Sequence, residues 1–492
     1  MSKFNKVLSK PLSANGNPQY AKSEKEQLYE LVVNTLYGRD TFYETTDEKA
    51  VRLHSLVNTL VNKSELDFLA NLAVYARYDM NMRNMPIMLV DAFIKSLKAK
   101  TTEFAGTRLL VKEVVGRVDQ ITDLLALLGD KTKIPMALKR GLSDAFNKFN
   151  EYQFAKYNRK GKVTLKDAMR IIHPVPKDED TSALFSRIMT DTLATPDTWE
   201  VQLSKHGNTK EVWEGLIERK VLGYQATLKN LRNMICADIS VKAQRQVADY
   251  IVSNALRSKS LPFEFLAAME AIEELDNIIF SNAIIDAMDA TICNVPSLGD
   301  KVLVMLDTSG SMFFDRGLAV KNSSFLSAVL ATASKNSEKF SLVRFASEAT
   351  FTHVNTGEKV YSTYRNLIKN AGTGGSTNFE AALAIVNHKN YDYDTVIVLT
   401  DNEIDDFRCL NTITTFQPKA TKIVINCAAS QTSIAPPAKG WHMLAGWSPN
   451  MFKYLDALRE GESVVKMLSR PFTGRCSSTQ LNSSNLPKPS EF

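Results

Sequence analysis

The chain has 492 residues, of which 44% are hydrophobic and 23% are charged, and this composition is typical of a folded globular protein. Because a single hydrophobic core rarely grows to this length, two or three domains are expected. The formal charge of +6 is mildly basic, so a surface for nucleic acid would be a local patch rather than the whole chain.

The cysteines and the apolar runs exclude several classes of protein. Five cysteines are scattered along the chain without any C-x-x-C pair, so neither a disulfide framework nor a zinc site is expected. The first residues lack an apolar core of signal-peptide length, and no apolar run approaches the roughly eighteen residues that a membrane helix needs. We therefore expect a cytoplasmic, reduced protein without a membrane partner. The protein is also expected to be a monomer.

The first part of the chain has the pattern of helices. Residues 1–22 are rich in polar residues and predict a flexible arm, and beyond them apolar residues recur at three- and four-residue steps. A dozen short helices favour a HEAT-like helical solenoid over one simple bundle, although no strict repeat is visible. A capping box at Ser64 and Asp67 is predicted to open one helix. The other predicted helices cover residues 25–38, 47–62, 84–99, 107–128, 134–150, 164–173, 181–195, 209–219, 221–234, 240–256 and 262–291.

The pattern changes after a short polar linker at 294–300. Continuous apolar runs then alternate with helical segments, which predicts a parallel, doubly wound, Rossmann-like α/β sheet. The predicted strands cover 301–306, 341–346, 395–400 and 421–426, and the predicted helices cover 318–334 and 379–387. The predicted organisation is a flexible arm over 1–22, a helical domain over 23–296, an α/β domain over 297–475 and a tail over 476–492.

Polar side chains follow the predicted strands, at the sheet edge where ligands of such folds bind. Asp307, Ser309 and Ser311 follow the first strand. Asp401 follows the third strand, and Thr377 lies in a Gly-rich loop between them. Because the carboxyl ends of parallel strands share one edge, these side chains are expected to converge. Their oxygens suit one hard divalent cation, Mg²⁺, Mn²⁺ or Ca²⁺, and argue against zinc.

Other interpretations of these loops are weaker. Each motif alone is compatible with an ordinary polar turn, and the Gly-rich loop over 372–378 lacks the Gly-Lys-Ser/Thr ending of a P-loop. A metal-dependent hydrolase would need a base or nucleophile near the ion, and no His or Cys lies in the three segments. Glu403, Asp405 and Asp406 predict a solvated acidic loop, the alternative being that they tune the metal site.

A basic stretch between Lys131 and Lys177 contains twelve Lys and Arg residues against three acidic ones, with five aromatic residues interleaved. Basic groups attract phosphate and aromatic rings stack on unpaired bases, so the cluster as a whole favours nucleic acid. For each aromatic residue taken singly, a place in the core is the favoured interpretation. The candidate RNA-binding residues are Lys139, Arg140, Lys156, Arg159, Lys160, Lys162, Lys166 and Arg170.

Three segments, 138–176, 210–234 and 283–312, resemble the TROVE module of the Ro ribonucleoprotein family and its passage into an A domain. The first contains LKRGLSDAFNKFNEYQFAKYNRKGKVTLKDAMRIIHPVP, and the second closes with LKNLRNM. The resemblance covers nearly the whole chain, from about residue 25 to about residue 475, and these segments are specific when they occur together.

The D-x-S-x-S motif with its later Thr and Asp resembles the metal-ion-dependent adhesion site of the von Willebrand A fold. The resemblance assigns the metal ligands to Asp307, Ser309, Ser311, Thr377 and Asp401. It also implies an open coordination position on the ion for an acidic group of a protein partner.

The Ro resemblance implies a ring of HEAT-like helix pairs closed by the A domain. Such proteins bind small noncoding Y RNAs on a basic outer surface and single-stranded 3′ ends of misfolded RNA in a central hole, and an exoribonuclease is a further expected partner. Lys166 and Arg170, four residues apart on one helix face, match the family's outer basic pair, and His173 lies near it. His173 is equally suited to cap its helix before Pro174.

These observations favour a non-catalytic RNA-binding protein that acts in RNA quality control or as a ribonucleoprotein scaffold. The alternative is a protein-interaction platform whose A domain docks an acidic partner through a bound divalent cation. That alternative gives no reason for the aromatic residues among the lysines of the basic stretch.

Overall fold

The computed structural model describes residues 20–33, 45–80, 82–129, 134–158, 160–258, 260, 262–295, 298–334, 339–372, 374–403, 409–427, 432–436, 440–445 and 463–474. The chain packs into two compact units. The mixed unit consists of Met1–Lys49 and Asp197–Val464, and the helical unit consists of Ala50–Pro196 and Val465–Phe492. The boundary predicted at 296/297 follows the change in secondary structure, whereas the units divide near residue 196. The predicted domain limits therefore stay a prediction.

Helices account for most of the described residues before the sheet. In chain order they are α1 (Glu24–Val33), α2 (Thr46–Asn62), α3 (Leu66–Tyr78), α4 (Met85–Ala99), α5 (Thr107–Val114), α6 (Asp119–Leu128), α7 (Met136–Phe146), α8 (Glu151–Tyr157), α9 (Leu165–Ile172), α10 (Glu179–Thr190), α11 (Trp199–His206), α12 (Lys210–Glu218), α13 (Tyr224–Lys229), α14 (Leu231–Cys236), α15 (Val241–Asn254), α16 (Pro262–Ile272) and α17 (Ile278–Thr291).

Strands and helices alternate in the remaining part. The strands are β1 (Tyr20–Ala21), β2 (Val302–Asp307), β3 (Phe340–Phe345), β4 (Ala349–Thr352), β5 (Thr395–Thr400), β6 (Thr421–Asn426), β7 (Thr432–Ser433) and β8 (Trp441–Ala445). The helices are α18 (Phe314–Ser334), α19 (Val360–Lys369), α20 (Phe379–Lys389), α21 (Cys409–Thr415) and α22 (Val464–Leu468). The predicted fold class, an all-α part followed by an α/β part, is confirmed.

Packing between neighbouring helices bears out the expectation of helix pairs. In the helical unit α3 packs on α4 and α5 packs on α7, and in the mixed unit α17 packs on both α15 and α16. None of the helices in the described stretches is both long and apolar enough to cross a membrane.

Several predicted helix limits are wrong because local hydrogen bonding interrupts the apolar periodicity. The helix predicted over 107–128 is divided between α5 and α6, because the Gln120 side chain accepts hydrogen bonds from the backbone N–H groups of Gly116 and Arg117 at 2.9 and 3.1 Å. The helix predicted over 262–291 is likewise divided between α16 and α17, where Asp276 has a φ of +46°.

The predicted capping box at Ser64 and Asp67 is also wrong. Ser64 has a φ of +62°, and α3 begins after Glu65, whose side chain makes no capping hydrogen bond. Capping boxes occur instead at Asn150 with Gln153, which opens α8, and at Thr164 with Asp167, which opens α9. Neither α8 nor α11 was predicted, because both are short and lie in polar stretches where local caps rather than apolar periodicity establish the helix.

The main sheet has the strand order β4-β3-β2-β5-β6-β8. β2 runs parallel to β3 and β5, and β6 runs parallel to β5 and β8, so the predicted doubly wound core is confirmed. β4 pairs antiparallel with β3 and makes the sheet mixed rather than purely parallel. All residues of the two central strands β2 and β5 are buried, which explains their continuous apolar character.

The N-terminal residues of the described chain do not form a flexible arm. β1 pairs with β7, and α1 packs against β8, so this segment belongs to the α/β core of the mixed unit. Lys22 donates a hydrogen bond to the fully buried carboxylate of Glu30 at 2.8 Å, and the Asn426 amide at the end of β6 donates to the same oxygen. Burial raises the pKa of Glu30, and the Lys22 ammonium opposes that shift. The first nineteen residues of the predicted arm lie outside the described residues.

Replacing Lys22 with Met should lower the free energy of unfolding by about 3–5 kcal/mol, because the Glu30 carboxylate would remain buried without a countercharge. Urea unfolding of the full chain, followed by tryptophan fluorescence, measures this loss in the transition of the mixed unit. The double variant Lys22→Met/Glu30→Leu should recover most of the stability, since it removes both charges. A single variant as stable as the parent would show that the pair contributes nothing.

Candidate functional site

The end of β2 carries a buried carboxylate in a fixed orientation. Asp307 is fully buried, and its two oxygens accept hydrogen bonds from the Ser309 backbone N–H at 2.9 Å and from the Thr400 hydroxyl at 2.6 Å. Thr400 is the last residue of β5, which lies beside β2 in the sheet. Sequence reasoning missed Thr400, and the signal that marked it was its place directly before Asp401.

The Gly-rich loop lies against the loop that follows β2. The Gly310 N–H donates to the Gly375 carbonyl at 2.9 Å, and the Asn378 N–H donates to the Ala346 carbonyl at 2.8 Å. Gly374 has a φ of +91°, and a Cβ there would lie 2.9 Å from the Gly310 Cα, so glycine is required for this close approach. These contacts hold Thr377, which is buried, at the same edge of the sheet.

Asp401 adds a second buried carboxylate to this edge. Burial, followed by the negative charge of Asp401, raises the pKa of Asp307 to about 7. Glu403 is also buried, and its backbone N–H donates to Asp401 at 3.2 Å, so the prediction that Glu403 belongs to a solvated loop is wrong. It fails because the turn after β5 folds back on Asp401. Asp405 and Asp406 lie outside the described residues.

The residues at this edge fit a hard divalent cation. The Ser309 and Ser311 hydroxyls lie 3.4 Å apart, next to the Asp307 carboxylate that the Ser309 backbone orients. The Asp401 charge is one of the causes that raise the pKa of the buried Asp307 carboxylate, and a bound cation would offset that repulsion. In the described part of the chain, no three His, Cys, Asp or Glu side chains converge on one point, so an ion held here would depend on hydroxyl ligands.

The candidate RNA-binding residues all lie in the helical unit, and most of those that the structure describes are exposed. Arg140 is exposed on α7, Lys160 and Lys162 are exposed in the loop between α8 and α9, and Arg170 is exposed on α9. Lys139 and Lys156 are half-buried, and Arg159 lies outside the described residues.

Lys166 and Arg170 differ in their contacts and in their exposure to solvent. The Lys166 ammonium makes an ion pair with Asp191, and its side chain is 27% exposed. The Arg170 side chain is 64% exposed, and its guanidinium lies 3.9 Å from Asp167, whose carboxylate also accepts two hydrogen bonds from Thr164. Arg170 is therefore open to solvent, whereas Lys166 already has an anionic partner.

The segment after α9 is bound to the face of α7. The Val175 N–H donates to the Ser143 hydroxyl at 3.0 Å, and the Lys177 N–H donates to the Asn147 side chain at 3.0 Å. Arg140 and Ser143 of α7 lie on one face with the C-cap residue Asn147 because of their helical spacing, so this segment lies along the face that carries Arg140.

His173 begins this segment as the C-cap of α9. Its φ of +53° is left-handed, and its N–H donates to the Met169 carbonyl at 2.8 Å. The capping interpretation of His173 is thus confirmed for its backbone. Its side chain is exposed, so the prediction that it takes part in RNA binding stays open.

Most of the interleaved aromatic residues belong to the core. Phe146, Phe149 and Phe154 are buried, and the rings of Phe146 and Phe154 stack with their centroids 5.7 Å apart. Tyr157 lies under the Arg117 guanidinium at 4.5 Å, and Tyr152 is exposed. The core interpretation is confirmed for the three phenylalanines, so phosphate attraction rather than stacking is the chemistry that this surface mainly offers.

Comparisons with known proteins agree on one family. The model of the TROVE domain matches residues 18–195 and 186–339. Telomerase protein component 1 is 21% identical over 350 residues in Rattus norvegicus and 22% identical over 350 residues in Mus musculus, and each match covers 54% of this chain and 13% of that protein. The chain thus corresponds to a small part of these curated relatives.

Solved structures give the same result for the fold. The crystal structure of the Deinococcus radiodurans RO (RSR) protein is similar to this chain with a TM-score of 0.62 and 17% identity, covering 89% of this chain and all of that one. This likeness supports the fold alone, since the sequence identity is low.

Asp307→Asn should abolish stabilisation by Mg²⁺ without destabilising the metal-free protein. In EDTA the variant should unfold at the temperature of the parent or above it, because one of two buried like charges is removed and the Thr400 hydroxyl can reverse from donor to acceptor. At about 100 times the Kd, Mg²⁺ should stabilise the parent by about 2.7 kcal/mol. Thermal unfolding in EDTA and in Mg²⁺ measures both effects.

The matched control for this experiment is Asp392→Asn, an exposed position before the amino end of β5. The control should keep the full response to Mg²⁺. Equal stabilisation of the Asp307→Asn variant by Mg²⁺ would place any bound ion elsewhere.

Proposed function

Because the chain belongs to the TROVE-domain family of Ro proteins, we propose that it is a non-catalytic RNA-binding protein. Its ligand on the helical unit is a small structured noncoding RNA of the Y-RNA type. The observation that carries this proposal is a group of exposed basic side chains without nearby acidic partners. Arg140, Lys160 and Lys162 are exposed, and none of them has an ion-pair partner among the described residues.

Charge of this kind acts on the phosphate backbone rather than on the bases. Backbone contacts position an RNA without reading its sequence, and structured RNA is recognised largely by shape. The α7–α9 surface, which carries Arg140, Lys160, Lys162, Lys166 and Arg170, therefore suits the stems of a folded RNA. The affinity of this surface for RNA should be nearly independent of stem sequence.

The family resemblance adds a second RNA ligand to this proposal. Single-stranded 3′ ends of misfolded RNA bind in a central hole, apart from the α7–α9 surface, and the protein then acts in RNA quality control or as a ribonucleoprotein scaffold. An exoribonuclease that removes such ends is the partner expected for this role. The proposed protein is a monomer, and it binds both ligands in the cytoplasm.

We further propose that the edge of the sheet binds one divalent cation, Mg²⁺ in the first instance, through Asp307, Ser309, Ser311, Thr377 and Asp401. The ion supplies a positive charge with an open position for an acidic group of a partner. A protein-interaction platform that uses this site is the alternative function. RNA that copurifies with the protein, read as absorbance at 260 nm, distinguishes RNA binding from that alternative.

Arg170→Glu should weaken binding of a fluorescein-labelled RNA hairpin by about 5- to 30-fold, because an attractive phosphate contact becomes a repulsive one. The slope of log K against log salt should fall by about 0.7–0.9 for the lost contact. Fluorescence anisotropy over a salt series, with hairpins of several stem sequences, measures both quantities. A single-stranded 3′ tail should lose less affinity.

Arg245→Glu is the matched control, since Arg245 is exposed on α15 of the mixed unit. It should leave hairpin binding unchanged. Lys166 is better replaced by Gln than by Glu, because a glutamate would face Asp191. If Arg170→Glu and Arg245→Glu weaken the hairpin equally, the effect is one of net charge and not of this surface.

Asp307→Ala should leave affinity for the hairpin within experimental error, because the proposed RNA surface and the proposed metal site lie in different compact units. The same anisotropy titration, performed in Mg²⁺ and in EDTA, tests this division. A well-folded variant that loses RNA affinity in Mg²⁺ alone would show that the ion and the RNA are coupled.

A further inference from the structure

One basic residue of the α7–α9 surface is already engaged by an acid of the same chain. Lys166 lies in the first turn of α9, and its ammonium contacts the carboxylate of Asp191, which caps the C-terminal end of α10. The two residues are 25 positions apart, so this contact depends on how α9 packs against α10. The Asp191 side chain is 63% exposed, more than twice the exposed fraction of Lys166.

We propose that Asp191 competes with RNA phosphate for the Lys166 ammonium and so limits the affinity of this surface. The proposal rests on the proposed RNA-binding function. A carboxylate offers the same kind of oxygen acceptor as a phosphate, and it holds the ammonium at the position where a phosphate would bind. Phosphate therefore has to displace Asp191, and the displaced carboxylate remains nearby as a repulsive charge.

The exposure of Asp191 makes this exchange feasible. An ion pair in solvent contributes little to stability, so opening it has a small cost. A neighbouring pair is built differently: Arg187 on α10 makes two hydrogen bonds of 3.1 Å with Glu151 on α8, and this bidentate pair connects the two helices. That pair can hold α10 in place while Lys166 changes its partner, so Asp191 acts as a competitor for the Lys166 ammonium and not as a support of the fold.

The backbone at Asp191 allows the charge to be removed cleanly. Its φ of +59° is left-handed, a conformation that Asn adopts readily and that Gly adopts without strain. The capping hydrogen bonds from its N–H to the carbonyls of Arg187 and Ile188 are backbone bonds, which Asn and Gly both retain. Asp191→Asn and Asp191→Gly are thus two independent ways to remove the competitor.

Asp191→Asn should raise affinity for the labelled RNA hairpin by about three- to tenfold at low salt, the value of one nearby like charge in water. The slope of log K against log salt should become steeper by up to about 0.9, because RNA binding no longer leaves an unpaired carboxylate beside phosphate. In a Lys166→Gln background the gain should be clearly smaller, since no ammonium remains to be contested and only the repulsion between Asp191 and phosphate is removed. Asp191→Gly should give the same result as Asp191→Asn.

Asp238→Asn is the matched control. Asp238 is an exposed aspartate with a φ of +52° in the mixed unit, and it has no ion-pair partner within the part of the chain described here. It changes the net charge by the same amount at a comparable backbone position, so it should leave hairpin affinity and the salt slope unchanged.

The possible outcomes separate this inference from the proposed function. If the parent protein does not bind the hairpin, the proposed function and this inference fail together. If the parent binds with a steep salt slope but Asp191→Asn and Asp191→Gly bind equally well, only the inference fails. A loss of affinity in both variants would overturn it in the opposite sense, since Asp191 would then hold Lys166 in its RNA-binding position.

Discussion

The candidate site of the α/β part is arranged around one constraint, the buried carboxylate of Asp307. It lies at the end of a fully buried strand, and hydrogen bonds from Ser309 and Thr400 fix both of its oxygens. Burial and, after it, the Asp401 charge raise the pKa of Asp307, so both disfavour the ionised carboxylate. The Gly-rich loop must then approach within contact of Gly310, which is why its glycines adopt positive φ values. A buried and charged edge of this kind is typical of a ligand site rather than of a structural turn.

The basic surface of the helical unit depends on exposed charge rather than on buried charge. Most of its described charges are exposed and are screened by water, so each of these contributes little to folding. Its three phenylalanines do the opposite and pack in the core, where Phe146 and Phe154 stack. One stretch of sequence thus supplies both basic side chains that attract phosphate and phenylalanine side chains that pack in the core. The Lys166–Asp191 pair shows that the charge which the surface presents is smaller than its count of basic residues.

The mixed unit is assembled from parts that are distant in the sequence. The buried ion pair of Lys22 and Glu30 reaches Asn426 at the end of β6, nearly four hundred residues away. Burying two charges is unfavourable unless they are paired and hydrogen-bonded. This contact therefore requires the N-terminal segment to pack in a fixed position against the end of β6. Helices α11–α17 belong to the same unit, and charged contacts connect the end of this helical segment to α19, as Lys359 with Asp286 and Arg365 with Glu273 illustrate.

The sequence by itself determined the features that arise from local pattern. These are the helical and α/β patterns of secondary structure, the four central strands and the residues at the edge of the sheet. Those features were predictable because apolar periodicity and strand ends are properties of neighbouring residues. It did not reveal the burial of Glu403, the place of Lys22 in the core or the partner of Lys166. Each of these depends on contacts between residues far apart in the chain, and only the tertiary structure, through packing and the pairing of buried charge, decided them.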